Sequence, residues 1–142
     1  MQTLSQSLKL MLNLAIVQAG LSRRFDGRLG GLGLTEFLIL SQLAAAPDEK
    51  LRRIDLAESI GLTASGVTRL LAPMEKIGLV KREANAADAR VSMVSLAKGG
   101  KQQLQDAIEN AEALAKTTLE LASKEELAHA GALLRKLGGT VR

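Results

Sequence analysis

The apolar positions from Leu4 to Arg24 recur every three or four residues, which predicts a long first helix. These positions also spread over much of the helix circumference. A helix of this kind needs burial on two sides, so we expect a partner chain to cover the face that its own domain leaves open. Glycines between residues 27 and 33 interrupt the pattern and predict a loop.

Shorter apolar runs follow this loop. Thr35 is a suitable N-cap for a second helix over 36–45, and Pro47 lies just beyond its end. Leu51 is expected to be a short extended residue. The pattern then predicts two short helices and a hairpin of two strands rich in β-branched residues: helices over 54–60 and 64–77, and strands over 79–83 and 91–96.

Helical periodicity returns in the last third of the chain. A long helix is predicted from Lys98 to about Leu121, and Ser123 with Glu126 forms a capping box for a last helix. Gly138 and the glycine after it are expected to end that helix near residue 137. The whole pattern predicts a mainly α-helical fold with a small β-hairpin wing, an α+β fold.

The strongest local motif lies between Arg53 and Leu70. A helix-turn-helix needs a small residue where its helices cross, a turn residue free to adopt positive φ, and an apolar residue that fixes the second helix. Ala57, Gly61 and Val67 supply these three at the required spacing. A plain helical pair with a glycine turn is the alternative interpretation, because such pairs also occur in proteins that do not bind DNA.

The exposed face of the second helix of this pair is polar and free of acidic residues. A helix that enters the major groove presents its N-terminal residues to the bases, and short hydroxyl side chains allow close approach. The predicted major-groove residues are Thr63, Ser65, Gly66, Thr68 and Arg69. Arg69 has the only long side chain on this face, and it is predicted to contact guanine, a phosphate or an intramolecular carboxylate.

The hairpin carries a seven-residue polar tip, residues 84–90, which is predicted to project as a thin arm. An arm with an arginine fits the narrow minor groove beside the site read by a helix. Asp88 is placed to hold the Arg90 guanidinium in a fixed direction; alternatively, Asp88 forms a turn and Arg90 is solvated. The predicted wing and backbone contacts are Arg53, Lys81, Arg82, Asp88 and Arg90.

Composition and charge narrow the function classes. The 142-residue chain has a formal net charge of +4 and no cysteine, which excludes disulfides and thiolate metal sites. The basic excess falls mainly in residues 50–90. The lone His129 is expected to be solvated or to face a partner chain, and no metal site, cofactor or paired acid–base constellation is predicted. We therefore expect a non-enzymatic protein, and the lack of an apolar leader or spanning run predicts a cytoplasmic location without membrane contact.

Two segments together resemble the MarR family, the multiple-antibiotic-resistance regulators. They are "LAESIGLTASGVTRLLAPMEKIGLVKR", which begins at Leu56, and "DARVSMVSLAKGG", which begins at Asp88. The family's wing signature is Asp-x-Arg, a short strand and Leu-Thr-x-x-Gly. Its counterparts here are Asp88, Arg90, Leu96, Ala97 and Gly100. The resemblance covers essentially the whole chain.

The resemblance implies one domain over 1–142, with a winged helix-turn-helix lobe over 34–97 and dimerisation helices over 1–26 and 98–139. It implies a homodimer in which each lobe reads one half of a pseudo-palindromic operator in double-stranded DNA. It also implies a transcriptional regulator, typically a repressor released by a small aromatic or phenolic effector. The predicted dimer residues are Leu4, Leu8, Met11, Leu114, Leu133 and Leu134.

Three positions depart from the family pattern. Ala97 replaces the usual threonine, which removes a cap from the following helix. Arg52 stands where a serine or threonine often caps the first reader helix. Pro73 lies inside the predicted recognition helix and is expected to kink or thin it beyond the groove-facing residues. A winged helix that binds another protein is the alternative function, since one fold serves both purposes.

Overall fold

Helix and strand formation follows the apolar periodicity along most of the chain. In the computed structural model, which describes residues 2–141, the predicted combination of helices and a small sheet is confirmed. The helices are α1 (Gln6–Phe25), α2 (Leu34–Ala45), α3 (Arg53–Ser59), α4 (Ala64–Lys76), α5 (Lys98–Thr118) and α6 (Lys124–Lys136). The strands are β1 (Lys50–Arg52), β2 (Val80–Ala84) and β3 (Ser92–Leu96).

Side-chain caps fix where several helices begin. The capping box of α6 is confirmed, because the Ser123 hydroxyl accepts from the Glu126 N–H while the Ser123 N–H donates to Glu126 Oε1. The predicted N-cap of α2 is wrong. Gly33 takes the cap position, and its N–H donates to Glu36 Oε1 at 3.1 Å, so Thr35 lies inside the helix.

The wing is the outer part of a three-stranded antiparallel sheet with strand order β1-β3-β2. The predicted hairpin of β2 and β3 is confirmed, with each strand boundary within one residue of the expected position. Leu51 is extended as expected and pairs with Val94, which faces Arg82 on its other side. The third strand therefore ties the start of α3 to the wing.

The helix-turn-helix pair also has the predicted geometry. Ala57 and Val67 are buried, Gly61 has a φ of 71°, and the Leu62 N–H donates to the Ala57 carbonyl at 2.9 Å. These contacts fix α4 on α3. The fully buried core around them comes from four of the elements and the loop after α1, and comprises Leu29, Ile39, Leu40, Leu43, Leu56, Val67, Leu71, Met74 and Val94.

Pro73 lies in the last turn and a half of α4, and the helix continues past it to Lys76. Proline has no N–H, so the Arg69 carbonyl receives no intrahelical bond from position 73. The Ile77 N–H then donates to the Pro73 carbonyl at 3.2 Å, so the helix closes with ordinary bonds. The kink expected from the sequence stays a prediction.

The outer helices are only partly covered by their own chain. None of the residues of α1 or α6 is fully buried. Both carry large exposed apolar side chains, and Met11 in α1 has 66% of its surface exposed. Among residues 2–141, no helix combines the length and apolar character needed to cross a membrane.

Two consecutive glycines allow the start of α5 to lie against the chain entering β2. The backbone of Gly99 and Gly100 packs directly on the carbonyl groups of Gly78 and Leu79. A Cβ atom at position 100 would overlap the Leu79 carbonyl oxygen, which the Ala97 N–H also contacts at 3.0 Å. The glycine of the wing signature is therefore required by backbone packing between the start of α5 and the chain entering β2.

We expect Gly100→Ala to lower the free energy of unfolding by about 3 kcal/mol, the upper range for overpacking, because the obstacle is backbone. Gly20→Ala is the matched control, since its Cβ would meet no atom within 4 Å. That change is expected to be neutral or stabilising by about 0.5–1 kcal/mol. Urea denaturation of both variants measures the difference, and equal stabilities would contradict the assigned role of Gly100.

Candidate nucleic-acid interface

The first turn of α4 is exposed and begins with a threonine cap. The Thr63 hydroxyl accepts from the Gly66 N–H at 3.1 Å and lies 3.3 Å from the Ser65 hydroxyl. Both hydroxyl side chains are exposed, and Gly66 beside them is half-buried. The N-terminal end of α4 therefore presents short polar groups and the positive end of the helix dipole to the outside.

Thr68 is exposed one turn further along α4, and its hydroxyl is engaged twice within the protein. Thr68 Oγ1 donates to the Ala64 carbonyl at 2.9 Å. The same oxygen accepts from Arg53 Nη1, also at 2.9 Å. The hydroxyl that the sequence predicts to face the major groove is thus held by one neighbour in its own helix and one in α3.

Arg69 is exposed on the same helix and forms neither an ion pair nor a side-chain hydrogen bond with any other residue of 2–141. The intramolecular carboxylate contact considered from the sequence is therefore absent from the described part of the chain. A guanidinium that no internal carboxylate neutralises keeps its five donors for an external partner.

Arg53 differs from the other predicted contact residues because it faces inwards. Only 15% of its side chain is exposed, and its Nη2 lies 3.7 Å from Glu75 Oε1. Its Nε and Nη2 atoms are buried and lack hydrogen-bond partners in the described structure. The direct DNA contact predicted for Arg53 stays a prediction, but the side chain is placed between α3 and α4.

Glu75, in the last turn of α4, connects this helix to the wing. Its Oε1 atom lies near Arg53 of α3 and also 3.4 Å from Arg82 Nε of β2. One carboxylate thus stands between two guanidinium groups from two other elements. Sequence reasoning missed Glu75, because a glutamate in the last turn of a helix has no local pattern that distinguishes it from a solvated residue.

The strands of the wing are joined by a second glutamate. Glu83 Oε1 accepts from the Ser95 hydroxyl at 3.1 Å, and Glu83 Oε2 lies 3.8 Å from Lys50 Nζ. These contacts cross from β2 through β3 to β1. Lys81, two positions before Glu83, is exposed and leaves its charge at the surface.

The tip of the wing is shaped by Asn85, which the sequence reasoning did not single out. Its side-chain oxygen accepts from the backbone N–H groups of Ala87 and Asp88 at 2.8 and 3.2 Å. Asparagine commonly makes this turn with the residues that follow it. In this otherwise alanine-rich segment, the turn propensity of Asn85 was the feature from which the turn could have been predicted.

Asp88 both forms the turn and holds Arg90, so the two alternatives considered from the sequence occur together. Its Oδ1 accepts from the Arg90 N–H at 3.0 Å and from Arg90 Nε at 3.1 Å, and its Oδ2 accepts from Nη2 at 3.2 Å. These hydrogen bonds from Arg90 lower the pKa of Asp88. The Arg90 side chain is nevertheless 91% exposed, so Asp88 fixes its direction without enclosing it.

Arg52 occupies the N-cap position of α3 and makes no capping hydrogen bond with its side chain. Its guanidinium instead donates to both oxygens of Asp55, at 2.7 and 3.1 Å. These hydrogen bonds and the opposite charge of Asp55 raise the pKa of Arg52. The pair replaces the usual threonine or serine cap by an exposed ion pair on the first turn.

The arrangement suits binding to an anionic surface. The exposed half of α4 has no acidic side chain, and Arg69, Lys81 and Arg90 are exposed on the reader and wing. Residues 2–141 contain no group of three or more His, Asp or Glu side chains placed to hold a metal ion. The exposed cations of α4 and of the wing are therefore available to an anionic partner.

Comparisons with known proteins agree with this geometry. Residues 30–91 match the sequence model described as "MarR family". The chain is similar to YfiV, an uncharacterised HTH-type transcriptional regulator of Bacillus subtilis, with 38% identity over 72 residues. That match includes 51% of this chain and 45% of YfiV, so the chain matches less than half the length of this curated relative.

Two solved structures resemble nearly the whole chain. The Mycobacterium tuberculosis regulator MosR, in complex with DNA, has a TM-score of 0.77 and 25% identity, over 90% of this chain and 92% of MosR. The organohalide-sensing regulator RdhR-CbdbA1625, bound to 2,4-dichlorophenol, has a TM-score of 0.81 and 22% identity, over 95% of this chain and 80% of that one. The sequence match to the MarR family is thus confined to residues 30–91, and the fold from α1 to α6 resembles the folds of these two regulators.

Proposed function

We propose that this protein is a homodimeric, sequence-specific DNA-binding transcriptional regulator that represses transcription until a small effector binds. The observation that carries the proposal is the pairing of an acid-free reader surface on α4 with an Arg90 side chain held outwards by Asp88. This supports a protein that binds DNA rather than an enzyme, and we propose the cytoplasm as its location.

The proposed contacts divide into base readout and backbone positioning. Thr63, Ser65, Gly66, Thr68 and Arg69 enter the major groove, where Arg69 is the residue long enough to reach a guanine edge with two donors. The wing follows the neighbouring minor groove, with Arg90 inserted and Lys81 and Arg82 near phosphates. Asp88 contributes by directing Arg90 and does not itself contact the DNA.

A second copy of the chain is the proposed partner of the outer helices. Leu4, just before α1, is exposed, as are Leu8 and Met11 on α1. Leu133 and Leu134 are exposed on α6, while Leu114 of α5 is half-buried. Exposed apolar side chains on both terminal helices form a surface that burial in a two-fold dimer would cover. Two winged lobes then lie on a pseudo-palindromic operator, as the two-fold symmetry requires.

The proposed effector site is a crevice between α1 and α5 on one side and α2 of the winged lobe on the other. It has a volume of about 290 Å³ and a mainly apolar lining contributed by α1, α2, α5 and Val141 after α6. Phe25 and Phe37 line it together with Ser41 and Glu112, so an aromatic ring can pack there while a polar substituent finds a hydrogen-bond partner. A small phenol fits this chemistry, and one such phenol is bound by the related organohalide sensor.

We expect Arg90→Ala to weaken binding to all duplex sequences alike and to reduce the slope of log affinity against log salt concentration by about 1. Arg69→Ala is expected to change which base pairs are preferred, with a loss of about 1–3 kcal/mol of discrimination at its position. Selection from random duplex DNA, followed by salt titration, measures both effects.

Arg135→Ala on α6 is the matched control, because it removes the same charge from an exposed site outside the winged lobe. It is expected to leave sequence preference unchanged. A wild-type protein that enriches no sequence, or whose binding does not depend on salt, would contradict DNA recognition and favour the protein-binding alternative.

We expect the wild-type protein to sediment as a dimer at micromolar concentration and Met11→Glu to shift the equilibrium towards monomer, because a charge would be buried at the interface. Ile54→Glu is the control, since Ile54 is a similarly exposed apolar side chain, at 62%, but lies on the winged lobe. A monomeric wild type, or identical behaviour of both variants, would refute the proposed interface.

We expect 2,4-dichlorophenol to raise the melting temperature of the wild-type protein and to release it from DNA. Ala115→Phe should abolish both effects by filling the crevice, whereas Ala113→Phe, two residues away on α5 and outside the crevice lining, should preserve them. Differential scanning fluorimetry and a DNA-release titration make the comparison. Release that persists in Ala115→Phe would place the effector elsewhere.

A further inference from the structure

Arg53 is the least exposed arginine among the predicted contact residues. It nevertheless contacts Thr68, one of the residues predicted to enter the major groove, from the buried side of α4. Its Nη1 donates to Thr68 Oγ1 at 2.9 Å across the α3–α4 crossing. On its other side, Nη2 faces Glu75, and both Nη2 and Nε are sealed from solvent. The guanidinium is therefore anchored within the fold, with one of its nitrogen atoms directed at a predicted base-reading side chain.

The contacts of Thr68 determine what its hydroxyl can offer to DNA. A hydroxyl group has one proton to donate and two lone pairs that accept. The proton is used by the Ala64 carbonyl, and one lone pair is used by Arg53. Towards an incoming base, Thr68 retains one lone pair and its methyl group, and it has no free donor.

This restriction limits the bases that Thr68 can favour. The N7 atoms of purines, the O6 atom of guanine and the O4 atom of thymine are acceptors, and each of them requires a donor from the protein. A side chain with only a lone pair and a methyl group instead suits the amino group of adenine or cytosine, or the methyl group of thymine. The base preference beneath Thr68 then depends on the residue that holds its hydroxyl.

We propose that Arg53 is a positioning residue that sets sequence specificity through Thr68 and does not itself contact the DNA. The inference rests on the proposed DNA-binding function and deepens it by assigning the chemistry of one base contact. The Ala64 carbonyl takes the proton of the Thr68 hydroxyl, and Arg53 fixes the position of its oxygen. The negative charge of Glu75 holds the guanidinium in place. No phosphate contact is needed for this role, in keeping with the low exposure of the side chain.

Arg53→Met and Thr68→Val test the proposal by selection from random duplex DNA. Arg53→Met removes the donor that occupies one lone pair of Thr68 Oγ1, so the hydroxyl gains a second free lone pair and is no longer held in place from α3. We expect the preference at one base-pair position to fall by about tenfold, within the range of a single specific contact. Thr68→Val is expected to alter the same position, and the double variant should show no further change. Arg53→Lys, which retains a charged donor, should keep most of the preference.

Arg52→Met is the matched control. It removes the same charge one residue earlier, from a side chain that is 53% exposed and paired with Asp55. We expect it to leave the preference at the Thr68 position unchanged. Uniform weakening of all sequences by Arg53→Met, with a salt slope reduced by about 1, would identify Arg53 as a phosphate contact and overturn the proposal. Changes in preference at different base-pair positions in Arg53→Met and in Thr68→Val would also overturn the proposal.

A measurement without DNA separates failure of this inference from failure of the proposed function. The Nε–H of Arg53 is buried, so its nuclear magnetic resonance signal should exchange with water more slowly than that of Arg52. We expect the signal to shift in Thr68→Val and to stay in place in Arg52→Met. Exchange as fast as that of Arg52 would overturn the packing on which the proposal rests. A slow signal in a protein that selects no DNA sequence would overturn the specificity role and the function together while leaving the packing intact.

Discussion

The crossing of α3 and α4 is the packing contact on which the reader depends. Ala57 is small enough for the helices to approach, Val67 is fully buried beneath them, and Gly61 takes the left-handed turn that reverses the chain. A larger side chain at position 57 would push α4 away from α3 and tilt it. Because interiors are close-packed, such a tilt would be transmitted to every side chain on the exposed face of α4.

The same crossing brings a cation and an anion into a partly buried position. Arg53 and Glu75 meet there, and Arg82 of the wing shares the carboxylate. Loss of one charged partner from such a group leaves the opposite charge buried and uncompensated. It therefore lowers the free energy of unfolding more than loss of an exposed ion pair does. The carboxylate thereby couples the orientation of the recognition helix to the position of β2, which a hydrophobic contact of the same size would fix less specifically.

Whether a structural feature could be predicted from the sequence depends on how far apart its interacting residues lie along the chain. The helices and the glycine turn follow from periodicity and from residues three to ten positions apart, so the sequence predicts them well. The cap of α2 was missed because Thr35 and Gly33 are both acceptable caps, and the reach of Glu36 back to Gly33 decides between them. Contacts such as Arg53 with Thr68, fifteen residues apart, depend on the crossing angle and leave no local pattern.

The reader surface is polar, but its hydrogen-bonding capacity is smaller than its composition suggests. Thr63 is occupied in capping α4, and Thr68 is occupied by Ala64 and Arg53. The uncommitted donors on the exposed half of α4 are therefore concentrated in the Arg69 guanidinium, with Ser65 sharing its hydroxyl with Thr63. Because a bidentate arginine discriminates between bases more strongly than a single hydroxyl acceptor does, specificity on this helix is expected to centre on Arg69. In the proposed complex, the threonines would set how closely the helix approaches the groove and which weaker contacts it tolerates.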